Sequence, residues 1–233
     1  MRRWVATVFA VALAACGTFG GVEREPEPDA AAPALEASTA DVPEPPDGGA
    51  ADAGDRPGVG VDGGPCQGAA DCQRFVFVTS ETFTGEDLGG AIAADGKCTN
   101  RAAATGTPEI KVRKFKAWIS EVGFEASKRL THGTKPYVLP DGRLLANDWN
   151  QLTQGSLFHP IDRDEANAPA PAGFVWTGSD IFGNATPTTC TGWTIGGADD
   201  KGTVGRAEAK DSTWTNSGVQ SCGTGHRLFC IEE

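Results

Sequence analysis

Six of the seven cysteines lie beyond residue 65 and the seventh, Cys16, stands alone far upstream. An even set in an exported chain is a disulfide framework, and such a framework limits the topologies a chain can adopt. Export is legible at the N-terminus. Arg2 and Arg3 precede an apolar run from Trp4 to Ala12, and small residues follow. That is the pattern of a cleaved signal, too short to span a bilayer. Cys66 and Cys72 sit close together outside any expected core element, so they are expected to close a small local loop over 66–74. Cys98 falls on the first expected helix and Cys230 on the last expected strand, so a bridge between them would tie the domain's two ends together. Cys190 and Cys222 then pair inside that loop.

Between Cys16 and the framework the chain changes character. Residues 17–65 hold 11 acids against Arg24 and Arg56, with Phe19 as their only aromatic. Such a stretch cannot bury enough apolar surface to offset its ordering entropy, so 16–65 is expected to be a disordered spacer. Most of the formal charge of −11 belongs to it. The remainder, 66–233, carries 20 acids and 16 Lys or Arg, so the low pI says little about the domain's partners. Leu13-Ala14-Ala15-Cys16 resembles the lipobox of bacterial lipoproteins. The resemblance implies a signal peptide over 1–15, acylation of Cys16, and a lipid-bilayer anchor in the cell envelope, with the outer membrane favoured.

Aromatic residues concentrate from Phe75 onward, with five of the six tryptophans, enough for one domain over 75–233. Arg74–Thr79 and Phe115–Ser120 have strand character, the second alternating as if half-buried. Leu88, Ile92, Asp95, Cys98 and Ala102 recur at helical spacing over 88–104. A short helix is expected over 124–130. Two apolar runs around Asp141-Gly142 predict a hairpin, and Asn147 is expected to cap a turn carrying Trp149 and Leu152. Further strands are expected at 174–178, 192–194, 212–215 and 226–231, between Gly-, Asn- and Asp-rich loops. Early helices and late short strands define an α+β class.

Six segments in order resemble the collagen-derived endostatin domain. They are Lys97–Ala102, Phe115–Ser120, Asn147–Leu152, Val175–Asp180, Cys190–Trp193 and Leu228–Glu232. The chain is similar to bacterial lipoproteins that carry such a domain behind a like tether. The resemblance implies a C-type-lectin-like fold with nested bridges, Cys98–Cys230 outside and Cys190–Cys222 inside.

Function is less legible. Animal endostatin-like domains bind heparan sulfate through clustered arginines, but Arg101, Arg113, Arg129, Arg143, Arg163, Arg206 and Arg227 are scattered here. No nucleic-acid partner is expected on the same ground. The one basic run, Lys111–Lys116, fits a solvated strand edge guarded by lysine. His132, His159 and His226 are isolated in sequence, so no metal site is assigned. Trp214-Thr215-Asn216 puts Thr where sugar-binding C-type lectins have a calcium ligand, and Asp162–Glu165 and Asp199-Asp200 have the look of solvated turns. Nucleophile-elbow, zinc-protease and phosphate-loop motifs are missing, so no catalytic residue and no cofactor are assigned. Trp118, Trp149, Trp176 and Trp193 are expected in the core, as is Trp214, with partial exposure for sugar stacking as its alternative. The expected function is a non-enzymatic binding or adhesion module that presents loops 178–225 to an extracellular protein or glycan. An envelope hydrolase with paired carboxylates and a purely structural lipoprotein are the alternatives.

Overall fold

The computed structural model describes residues 72–233. The expected signal, the Cys16 anchor, the tether and Cys66 lie outside them. Cys72 is disulfide-bonded.

One mixed sheet organises the domain. Its strands are β1 (Arg74–Val78), β2 (Phe115–Ala117), β3 (Tyr137–Val138), β4 (Leu144–Ala146), β5 (Phe174–Trp176), β6 (Lys201–Arg206), β7 (Gly218–Ser221) and β8 (Arg227–Glu232). The order is β4-β3-β1-β8-β5-β6-β7, with β2 also paired to β8. β1 runs antiparallel to β8, with Phe77 opposite Cys230, and β5 runs parallel to β8 through Val175 and Trp176. The last strand is therefore the sheet's spine, joining segments far apart in the chain.

Side chains alternate across a strand, so each strand feeds two cores. Phe75, Phe77, Phe115, Ala117, Trp176, Leu228 and Cys230 enter one apolar cluster. Val76, Val78, Trp118, Val175, Phe229 and Ile231 enter the other. A sheet covered on both faces accounts for the unbroken apolar run in β1.

The first cluster is closed by α1 (Ala91–Thr105). The helix begins later than its periodicity suggests, because Glu86–Leu88 forms a separate 3-10 turn and Gly89 and Gly90 intervene. It buries Ala91, Ala94, Cys98 and Ala102, whereas Ile92 is exposed. Small side chains let the helix approach the sheet closely enough for the Cys98–Cys230 bridge, with Cα atoms 5.5 Å apart. The Cys190–Cys222 bridge lies in the same cluster. Both pairings match the expected nesting.

Further short helices are α2 (Pro108–Lys111), α3 (Ala126–Arg129) and α4 (Trp149–Leu152). The Asp141-Gly142 hairpin forms as expected from β3 and β4. α4 is capped by Asp148 rather than Asn147: the Asp148 carboxylate accepts from Gln151 N–H at 2.8 Å, and Gln151 Oε1 accepts from Asn147 N–H. Asp148 is the residue with extended backbone one step before the helix, and only that geometry aims a cap side chain at the first turn.

Three strand expectations require correction. Residues 192–194 are not a strand, since Cys190–Trp193 form a left-handed turn, α5, with φ of 48°, 50°, 66° and 60° in sequence. Left-handed backbone costs a non-glycine residue about 1–2 kcal/mol. The turn is held by the Cys222 bridge, by burial of Trp193 and by its indole N–H on Ser120 O at 2.9 Å. Residues 212–215 hold a 3-10 turn, Ser212–Trp214, which the Asp211 carboxylate caps through Thr213 N–H. The run Phe115–Ala117 alternates as expected, with Phe115 and Ala117 buried and Lys116 partly exposed, but its free edge is not solvated as the lysine run suggested. Thr99 Oγ1 donates to Phe115 O at 2.9 Å, Asp95 accepts from Ala117 N–H at 2.9 Å, and Arg129 donates to Ala117 O at 3.0 Å. Side chains from α1 and α3 thus occupy the edge that another strand would need.

β6 was not visible in the sequence because Gly202 and Gly205 interrupt its pattern. Both mark close approaches. A Cβ on Gly202 would sit 2.7 Å from Cys190 Sγ and 2.9 Å from Trp176, and one on Gly205 would collide with the Trp214 carbonyl.

Candidate functional site

Charged side chains are drawn inward and toward one another. Glu165, fully buried, accepts from Ser80 N–H (2.9 Å), Ser80 Oγ (2.6 Å), Arg101 Nε and Nη2 (2.9 and 2.7 Å) and Thr105 Oγ1 (2.9 Å). It is therefore not the solvated turn residue expected of Asp162–Glu165. Burial raises its affinity for a proton, but the bonds from Ser80 and Arg101 outweigh it and hold the carboxyl below its ordinary range. Asp95 takes both oxygens to Arg129 Nη1, at 2.6 and 2.7 Å. Burial still dominates there and pushes the Asp95 carboxyl up, against the pull of Arg129. Asp141 is also partly desolvated, yet bonds from Arg163 and Arg143 keep it low. Glu232 accepts from Phe75 N–H at 2.8 Å and pairs with Arg113.

The arginines that would build a polyanion site are committed in the same way. Arg101, Arg113 and Arg129 bind the carboxylates above, while Arg143 reaches Asp162 and Arg163 reaches Asp141. Arg206 pairs with Glu208 and lies over the Phe174 ring, and Arg227 donates to Pro171 O. The three histidines stand in separate surroundings. His132 stacks on Trp149 at 4.1 Å, His159 bonds Leu144 O, and His226 packs on Trp176 and Phe174. Burial lowers the His226 pKa. Among the described residues no group of three His, Cys, Asp or Glu converges as a metal site would need, and no helix is long and apolar enough to cross a membrane.

Thr215, which stood in the sequence where a calcium ligand would be needed, has another role. Thr215 is buried, and its hydroxyl accepts the Trp118 indole N–H at 2.8 Å. Trp214 is fully buried and packs on Trp118 and Phe229, so it offers no stacking surface. Trp118, Trp149, Trp176 and Trp193 are buried as expected.

Among the described residues the large apolar side chains left exposed are Ile92, Val112, Val122, Phe124, Phe158, Phe182 and Val219, and four of them sit on segments that hydrogen bonds join. Phe124 (48% exposed) and Val122 (84%) lie on the turn after β2, and Phe182 (57%) lies on the loop after β5. Ile92 (57%) is on the first turn of α1. Backbone bonds stitch these pieces together. Phe124 N–H closes onto Glu121 O at 2.9 Å, and the Glu121 carboxylate accepts from Ala91 N–H, joining that turn to α1. Asp180 Oδ1 accepts from Phe182 and Asn184 N–H, both at 2.9 Å, which shapes the second turn. Gly183 O then accepts from Ser127 N–H and Ser120 Oγ, each at 3.0 Å. Phe182 is thereby fixed beside α3, two residues after Phe124. The signal that could have found this strip is the Asp180–Asn184 spacing of a side-chain-capped turn with an aromatic at its tip. Its meaning required the partner turn, which lies more than fifty residues upstream.

No protein-family model matches this chain, and no curated protein matches it.

Proposed function

We propose that the domain is a non-enzymatic binding or adhesion module of C-type-lectin-like, endostatin-like type, exported and held in the bacterial envelope by a lipid on Cys16. Two stitched turns and a helix start present Ile92, Val122, Phe124 and Phe182 to solvent on a disulfide-bonded body, and this strip is the observation that carries the reading. Exposed aromatics on rigid loops are the anchors of protein interfaces and also stack on sugar faces. The nested bridges, the buried tryptophans and the sheet whose spine is the last strand support the lectin-like assignment. The carboxylates that burial would otherwise make reactive are paired with arginine or backbone N–H groups, which favours binding over paired-carboxylate hydrolysis.

Glycan and matrix-protein arrays probed with the soluble 66–233 fragment, with and without Ca²⁺, test the proposal. Binding is expected, and Phe124→Ser with Phe182→Ser is expected to abolish it without lowering the melting temperature. An empty array would point to a structural lipoprotein, and binding unchanged by both substitutions would place recognition on another face.

A further inference from the structure

The edges of the mixed sheet are treated unequally. Along β2, Thr99, Asp95 and Arg129 take the outward backbone groups. Along β4, Phe158 N–H donates to Leu145 O at 3.0 Å, and the His159 ring bonds Leu144 O at 2.8 Å. β7, which ends the strand order, is different. Its residue Val219 stands opposite Thr203 of β6. Thr203 directs both backbone groups to its other side. Its N–H donates to Thr188 O at 2.8 Å, and its carbonyl accepts from Thr177 and Gly178 N–H at 3.2 and 3.1 Å. Backbone groups alternate in direction along an antiparallel pair, so Val219 turns its N–H and carbonyl away from β6. Ser221, two residues on in the same strand, turns its N–H the same way. Among the described residues nothing bonds these three groups. The Val219 side chain is itself 49% exposed.

An open edge recruits another strand, and natural edges commonly carry lysine, proline or a bulge to prevent it. Residues 217–221 read Ser-Gly-Val-Gln-Ser, without charge or proline, and the two serines lie at equal distance from Val219. We propose that β7 pairs antiparallel with β7 of a second copy of this chain, about a twofold axis at Val219. On that axis the two Val219 residues face each other and exchange N–H···O bonds, as opposed residues with outward groups do. Ser217 of each copy then faces Ser221 of the other, and each Ser221 N–H meets a Ser217 carbonyl. Valine lies against valine and serine against serine, so no like charges oppose one another. A twofold interface must be self-complementary in this way, so a second copy fits this edge better than an unrelated strand. The contact has one apolar pair at its centre and is small, so the dimer is weak and transient. The strip of Ile92, Val122, Phe124 and Phe182 contributes no residue to it, and this inference stands apart from the proposed function.

The full chain with Cys16→Ser, which removes acylation as a cause of association, provides the test. Sedimentation velocity between about 10 µM and about 1 mM is expected to show a monomer–dimer equilibrium, as a small contact requires. Amide exchange at Val219 and Ser221 should slow several-fold over the same range, while the amides of β8 stay unchanged. Val219→Lys and Val219→Glu should each be monomeric throughout, because like charges meet on the axis, with melting temperatures close to that of the unsubstituted protein. An equimolar mixture of the two variants should dimerise again, which a folding defect would not allow. A monomer at the highest concentration would leave the edge to a strand of another protein and overturn the proposal. Association that survives both single substitutions, a mixture that stays monomeric, or Val219 exchange indifferent to concentration would each do the same.

Discussion

The two faces of the sheet are held by different physics. On one, α1 lays a row of alanines and Cys98 against the strands, and both described disulfides, Cys98–Cys230 and Cys190–Cys222, sit in that cluster. On the other, the longest covering element is the four-residue α3 or α4 turn, and the volume is filled by Trp118, Trp149, Trp214, Tyr137 and Phe229. Trp118 lies 5.0 Å from Trp214 and 5.8 Å from Trp149, ring centre to ring centre. A regular helix with small side chains can approach closely but buries little per residue, so covalent bonds add what packing does not. Irregular chain cannot present a continuous apolar stripe, so large aromatics supply the buried area instead. Where each strategy leaves backbone groups uncovered, arginine closes the gap. Arg129 donates to the carbonyls of Ala117, Ile119 and Phe124 while gripping Asp95.

The contrast is most sharply tested by removing its two supports. Cys98→Ala with Cys230→Ala opens a loop of 132 residues, which loop-closure entropy sets at about 5 kcal/mol. Trp118→Ala should cost about 3–5 kcal/mol on the opposite face. Denaturant titrations should find the two losses nearly additive, since the cross-link and the ring lie in separate clusters. Strong coupling would mean that the faces form one cooperative core.

A somewhat smaller effect is expected at the seam between helix and edge. Arg129→Met leaves Asp95 buried without its cation and three carbonyls without a donor, a loss of about 3–4 kcal/mol. Adding Asp95→Asn should recover part of it. Recovery of the whole would show that the carbonyl bonds contribute nothing.

The smallest effect is a pH dependence. Glu165 has a folded pKa held below the ordinary 4.5, so the unfolded chain takes up its proton first as acid is added. Its contribution is present in full above 4.5 and is lost as pH falls through the lower folded value. Chemical denaturation between neutral pH and pH 3 should show this loss, and Glu165→Gln should lower stability at neutral pH while flattening that part of the curve. An equal acid slope in the variant would assign the effect to other carboxylates.

Much of this was written along the chain. The runs at β1, β5 and β8 announce themselves because strands buried on both faces must be apolar at every position. The Asp141-Gly142 hairpin is a local matter of turn chemistry. The cysteine pairing followed from which elements carry Cys98 and Cys230. What the sequence could not show was geometry set by distant partners. Gly202 looks like a strand breaker until the Cys190 sulfur and Trp176 are placed against it. Gly192-Trp193 looks extended until a disulfide and a buried indole hold it left-handed. Glu165 looks like a solvated acid until Ser80, Arg101 and Thr105 close around it. The exposed strip was hidden for the same reason. Ile92 keeps helical spacing with the core residues, but the sheet selects the alanine face and turns Ile92 to solvent. Periodicity, turn chemistry and cysteine placement are local properties and travel with the sequence. Which face of a helix is buried, and which loops meet, is decided only when chain ends more than a hundred residues apart are brought together.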